Sequence, residues 1–395
     1  MTIYQYSFPT TIHFGSGAVR LLPDALLKAG KRRPLLVTDR GLSLLAPARD
    51  AAAHLKASGL EVRVFSEVWG NPLLSQVTAG VQAFQQHAAD SIVGIGGGAA
   101  LDVAKAIALM VHHPGELFDY EDEKPGARPI DSEIPWWASV PTTAGTGSEV
   151  GRSTVISDER TRVKKVIFSP RLLAQRVFVD PDLTMGLPPA MTAATGMDAL
   201  THLVEAYLAR GFQPLCDGIA LEGVRLVARS LPRCVEYAHR IEHGEKELLT
   251  AVPHREARGL MLNAALMGGV AFQKGLGVTH SLAHALSTVC DLHHGLANGI
   301  CIPYAMAFNR EAAGARLAEL GALAGASAPG ADGFITWLEE LKVALGIPRT
   351  LADVGVTLEH VDSLVAFAFQ DGCHANNPKP VTERDFRQLF RSMLV

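Results

Sequence analysis

The stretch Ser91-Ile92-Val93-Gly94-Ile95-Gly96-Gly97-Gly98-Ala99-Ala100-Leu101-Asp102 reads as an apolar strand, a glycine turn and the opening of a helix. Branched aliphatic residues suit a pleated, buried strand, and glycine lets the backbone turn sharply and come close to a ligand. The unpaired N–H groups where a helix begins attract a phosphate. Gly94-x-Gly96-x-x-Ala99 fits a dinucleotide-binding fingerprint, but the acidic residue expected about 20 positions later, at the end of the next strand, is not evident. A tight structural turn would use the same glycines.

Working outward, residues 34–38, 61–65, 137–140 and 176–179 read as further short buried strands, and 42–56, 77–87 and 101–112 as helices. Strands alternating with helices build a mostly parallel sheet, so residues 1–187 are expected to form an α/β dinucleotide-binding domain. Two β-rich runs around Asp158-Glu159-Arg160 predict a hairpin over 150–169. After Leu187-Pro188-Pro189 the chain turns to long Ala/Leu-rich stretches with few β-branched runs. Paired prolines cannot continue a ladder or a helix interior, so residues 188–395 are expected to be a separate, all-α domain.

Composition limits the partners. The 395 residues are 48% hydrophobic and 19% charged, with a net charge of −4, which gives no electrostatic reason to hold nucleic acid or an anionic membrane. The five cysteines contain no C-x-x-C pair, which argues against a disulfide framework. No run approaches the roughly 18 apolar residues of a membrane span, and the N-terminus lacks a signal-peptide pattern. The expectation is a cytoplasmic protein with a small-molecule substrate.

A second loop follows a strand at Pro141-Thr142-Thr143-Ala144-Gly145-Thr146-Gly147-Ser148-Glu149, where hydroxyls and glycines could line a cofactor groove. In the helical half, Asp198 and His202 are four apart, as are His280 and His284, and His293-His294 follows. That spacing puts each pair on one helix face. Three histidines and a carboxylate can complete an N₃O set around Zn²⁺ or Fe²⁺. Among 15 histidines such pairs also arise by chance.

Gly196-Met197-Asp198-Ala199-Leu200-Thr201-His202, with His280-x-x-x-His284 and His294 fourteen residues past His280, resembles the iron-containing alcohol dehydrogenases. The resemblance runs from Phe14-Gly15-Ser16-Gly17 to Asn377-Pro378-Lys379 and implies the dehydroquinate synthase-like fold. It implies Asp198, His202, His280 and His294 as metal ligands, with His293 the alternative to His294, and His284 as a proton relay. For the cofactor it implies Asp39, Asn71, Gly96, Gly97, Gly98, Asp102, Thr142, Thr143, Thr146 and Lys164. Lys164 also reads as one of several hairpin cations, with Arg160, Arg162 and Lys165. An acid such as Asp39 would pair with ribose hydroxyls and repel a 2′-phosphate, favouring NAD. Ala99 stands where the family's Gly-Gly-Gly-Ser has a hydroxyl.

Ala271 to Gly277, Leu292-His293-His294-Gly295 and Cys373-His374 further resemble the 4-hydroxybutyrate dehydrogenase branch, with Lys274, His374 and Lys379 as candidate cations for a substrate carboxylate. The implied reaction is reversible hydride transfer between a small primary alcohol and NAD, with Fe²⁺ or Zn²⁺ bound by Asp198 and the three histidines as Lewis acid. A homodimer is common among similar proteins. Two other readings are an NAD-using lyase of the dehydroquinate synthase kind and a non-catalytic scaffold derived from the family.

Overall fold

β-branched and aliphatic runs form the strands of the first unit, which comprises Phe8–Thr143 and Ser148–Thr184. The computed structural model describes residue 8 and residues 10–122, 124–161 and 163–395; Arg162 lies outside the described residues. In chain order the elements are β1 (Thr11–Phe14), α1 (Leu22–Lys28), β2 (Pro34–Asp39), α2 (Ala46–Ala57), β3 (Arg63–Val68) and α3 (Leu74–His87). Then come β4 (Ser91–Gly96), α4 (Gly98–Met110), β5 (Trp136–Pro141), β6 (Ser153–Ser157), β7 (Lys164–Phe168) and β8 (Arg176–Val179).

Six strands form one sheet in the order β1-β8-β5-β4-β2-β3, and every neighbouring pair is parallel. All six residues of β4 are buried, as expected for a strand covered on both faces. The order reverses at β2, with β3 on one side and β4 on the other, which makes the carboxyl ends of β2 and β4 the topological switch point. The hairpin forms as expected, with Ser157 opposite Lys164 in antiparallel β6–β7.

Three details differ from the sequence reading. β1 was not expected, because Thr-Ile-His-Phe is too short and too mixed to signal a strand; pairing with β8 makes it one. The strand expected at 61–65 begins at Arg63 and runs on to Val68. The helix expected at 42–56 breaks into a 3-10 turn, Leu42–Leu44, and α2, whose Pro47 sits in the first turn where no N–H is needed.

The second unit comprises Ala144–Gly147 and Met185–Val395 among the described residues. Its helices are α5 (Pro189–Leu208), α6 (Pro214–Glu242), α7 (Val252–Ala271), α8 (Val278–Val289), α9 (His294–Ala324), α10 (Gly330–Ala344), α11 (Val361–Gln370) and α12 (Glu383–Ser392). No strand occurs among its described residues. α5 is buried almost all round, packed by α6, α7 and α9. Glycine permits that closeness: a Cβ on Gly196 would stand 2.2 Å from a Leu231 methyl carbon. No described helix is long and apolar enough to cross a membrane.

Candidate metal centre and cofactor loops

α5 carries Asp198 and His202 one turn apart, α8 carries His280 and His284, and α9 opens with His294. Helical spacing therefore supplies five chemical groups from three segments. Donor atoms of Asp198, His280 and His294 lie within 4.8 Å of one another, and His294 Nε2 is 3.5 Å from Asp198 Oδ1. His202 lies beside this group, its ring stacked on His280 with centroids 4.6 Å apart. His284 stacks on His294 at 5.0 Å. The donor group closes on His294, while Nδ1 of its neighbour His293 accepts from the Leu296 N–H at the start of α9.

The donors suit a cation. His280 Nε2 and His202 Nδ1 are buried and without a hydrogen-bond partner among the described residues, which is costly unless something fills that role. Burial pushes His202 down to about 4, with the neighbouring His280 adding to the effect against the pull of Asp198, so its ring is a neutral donor at pH 7. Asn298, one turn past His294 on α9, donates from Nδ2 to Asp198 Oδ1 at 2.8 Å.

Two carboxylates absent from the sequence reading stand behind the histidines. Glu205 Oε2 is 2.7 Å from His280 Nδ1, and Asp371 Oδ2 is 2.7 Å from His284 Nδ1. Asp371 Oδ1 also accepts from Ser281 Oγ at 2.7 Å and from the Cys373 N–H at 2.9 Å. Burial opposes the Asp371 charge, but His284 and these hydrogen bonds outweigh it and hold the carboxyl far below its usual range. Glu205 had a signal in the sequence, since it lies three residues past His202 and so on the same face of α5. Asp371, 87 residues from His284, had none.

In the α/β unit the glycine turn sits at the switch point. A Cβ on Gly96, whose φ is 153°, would stand 2.7 Å from Ala100 Cβ and 3.5 Å from Asp39 Oδ2. A Cβ on Gly97 would stand 3.4 Å from Thr143 Oγ1, and the Thr142 N–H donates to the Gly96 carbonyl. The in-register pairing of Gly96 with Pro141 brings both loops to the same edge. α4 begins at Gly98 behind Gly97, an N-cap residue that makes no side-chain cap to the helix's first amides. Asp39 spends one oxygen on the Leu42 N–H at 2.8 Å. Asn71 precedes Pro72, whose carbonyl accepts from Ser157, the residue paired with Lys164.

Asp102 is placed differently from a free cofactor contact. Its carboxylate accepts from Ser148 Oγ at 2.5 Å, the Val155 N–H at 3.1 Å and Lys105 Nζ at 3.4 Å, tying α4 to β6. Ala144–Gly147 belongs to the helical unit: Gly145 packs on Thr195 of α5, and Gly147 packs on Gly269 of α7. Thr146 travels with that segment. Of the candidate carboxylate-binding cations, Lys274 is excluded, because its buried ammonium pairs with Asp217 and donates to the Tyr207 carbonyl at 2.9 Å. His374 Nδ1 is fixed on the Asp371 carbonyl, and Lys379 Nζ lies 4.0 Å from the Phe308 ring centroid.

Two family models match the chain: iron-containing alcohol dehydrogenase over residues 9–181, and the C-terminal region of the Fe-containing alcohol dehydrogenase family over 192–394. A 4-hydroxybutyrate dehydrogenase of Cupriavidus necator is 37% identical over 98% of both chains. An NAD-dependent methanol dehydrogenase of Bacillus methanolicus is 34% identical over 99% of this chain and all of that one. Among solved structures, a 1,3-propanediol oxidoreductase superposes with a TM-score of 0.91 at 32% identity, covering 99% of this chain and 100% of that one. A sulfoacetaldehyde reductase from Bifidobacterium kashiwanohense, in complex with NAD⁺, gives 0.87 at 27% identity, covering 100% and 99%.

Proposed function

Because the chain belongs to the iron-containing alcohol dehydrogenase family, and so is an oxidoreductase acting on CH–OH groups, we propose that it interconverts 4-hydroxybutyrate and succinic semialdehyde with NAD. The observation that carries the chemistry is the convergence of Asp198, His280 and His294 donors within 4.8 Å, with His280 Nε2 and His202 Nδ1 buried and without partners among the described residues. Asp198, His202, His280 and His294 would hold the ion, iron in first place and zinc in second. When bound, the ion supplies Lewis acidity to the alcohol oxygen. NAD, seated on Gly96, Gly97 and the first amides of α4, supplies the hydride acceptor.

The chain's own residues do the rest. Asp371 takes the Nδ1–H of His284 and leaves its Nε2 to accept or return the alcohol proton. Asp39, at the carboxyl end of β2, is placed to take ribose hydroxyls and to repel a 2′-phosphate. Thr142, Thr143, Thr146, Asn71 and Lys164 complete the cofactor contacts, and Asp102 acts by holding Ser148 and β6. His374 and Lys379 are the cations offered to the substrate carboxylate. The same reading takes residues 1–187 as the cofactor domain and 188–395 as the metal and substrate domain of a cytoplasmic homodimer.

The test is an anaerobic assay of Fe²⁺- and Zn²⁺-reconstituted enzyme with NAD against 4-hydroxybutyrate, simple alcohols and diols. Preferred turnover of 4-hydroxybutyrate is expected, with light scattering at twice the chain mass. Turnover of plain alcohols or 1,3-diols alone would overturn the substrate assignment.

A further inference from the structure

The N-cap of α8 is Gly277, which has no side chain to satisfy the helix's first amides. A carboxylate from another helix does so. Glu205 of α5 accepts from the N–H groups of Gly277 at 2.9 Å, Thr279 at 2.6 Å and His280 at 3.3 Å. Asn377 Oδ1 accepts the remaining one, from Val278, at 3.2 Å. Glycine is required at 277 by proximity, since a Cβ there would stand 2.9 Å from Glu205 Oε1 and 3.0 Å from Asn377 Oδ1.

The same carboxylate holds His280 Nδ1 at 2.7 Å. Both groups are almost wholly buried, and an isolated carboxylate there would be expensive. Three backbone N–H groups, the positive end of α8 and the imidazole make it stable as an anion. An ionised carboxylate can only accept, so the proton between the pair sits on Nδ1. In the neutral ring the other nitrogen, Nε2, carries the lone pair, and it is buried without a hydrogen-bond partner among the described residues.

We infer that Glu205 is a positioning residue for the metal centre: through its hydrogen bond to Nδ1 it fixes His280 as the Nδ1–H tautomer and aims Nε2 at the ion. This rests on the metal-centre reading given above. Glu205 thereby links the helix that carries Asp198 and His202 to the helix that carries His280 and His284. A glutamine would keep the shape but offer a single acceptor oxygen, so its NH₂ must face either the Thr279 N–H or His280 Nδ1, and without the negative charge it would hold the Nδ1 proton less firmly.

Metal-free protein would be titrated with Co²⁺, followed by its visible bands, and with Zn²⁺ against a chromophoric chelator. Glu205→Gln is expected to bind both ions about 10–100-fold more weakly while keeping a cooperative unfolding transition. Asn377→Ala, which removes a helix cap without touching the His280 ring, is expected to lower the unfolding midpoint and keep the affinity. Wild-type affinity in folded Glu205→Gln would overturn the proposal. Should that variant not fold, long-range ¹⁵N–¹H correlations of His280 in the metal-free wild type decide: Nδ1–H is expected, and Nε2–H would overturn it. Asp198→Ala separates the two readings. If it too keeps full affinity, the metal centre itself is wrong; if it loses the ion while Glu205→Gln keeps it, only the role of Glu205 falls.

Discussion

The glycine turn of the α/β unit and the histidine centre of the helical unit solve opposite problems. At Gly96 the site is made by leaving atoms out, since an added Cβ would stand 2.7 Å from Ala100 Cβ. At His280 it is made by adding charge, with Glu205 behind the ring and Asp198 among the facing donors. Even the buried glutamates of the two units differ. Glu205 is fully partnered, and although burial opposes its charge, His280 and the α8 amides pull its carboxyl below the usual range. Glu149 has an oxygen without a hydrogen-bond partner among the described residues, and burial pushes it up to about 7 despite nearby Lys105. Depth alone does not decide ionisation; the donors around the carboxylate do.

The hardest way to break the contrast is to remove a charged ligand. Asp198→Ala is expected to lose the ion, measured as metal content, and to cut kcat/KM by at least about 10³-fold, since Lewis acidity supplies several kcal/mol. NAD binding should be unchanged. Asp371→Asn is expected to retain metal while lowering kcat on the order of 10–100-fold, because an amide cannot accept from His284, Ser281 and Cys373 as the carboxylate does. Unchanged kcat would remove Asp371 from the relay.

Gly96→Ala tests the other side. Strain of roughly 1–3 kcal/mol at a positive φ, with a 2.7 Å contact to Ala100, is expected to raise the NAD Kd about tenfold and leave metal affinity alone. Titration by nicotinamide fluorescence would show it.

The effect smallest in turnover concerns Glu149. Its folded value near 7 exceeds the ordinary 4.5, so its stabilising contribution is complete below pH 4.5 and is lost as pH rises through 7. Glu149→Gln should unfold like the wild type near pH 4.5 and be more stable at pH 8, by up to about 3 kcal/mol. Equal urea midpoints at pH 8 would show that the carboxylate has a partner.

Much of this was legible beforehand because local rules produced it. The i, i+4 spacing of Asp198/His202 and His280/His284 exposes each pair on one face of a helix, and glycines after an apolar strand mark a close backbone turn. Lys274 shows the converse: a cation near the site in sequence looks available until Asp217, 57 residues away, is seen against it. Nor does anything near Thr11–Phe14 announce a strand, since its partner β8 lies more than 160 residues on.

By itself, then, the sequence determined the elements whose signals repeat within a few residues: the strands and helices, the glycine turn, the histidine pairs and the family they mark. Only the tertiary structure decided which oxygen stands behind which ring, that Glu205 caps a helix whose own N-cap is bare, and that Lys274 is spent. Hydrogen bonds and ion pairs act over about 3 Å in space, whatever the separation along the chain. Periodicity reports only which face a residue occupies, and the fold alone chooses what meets that face.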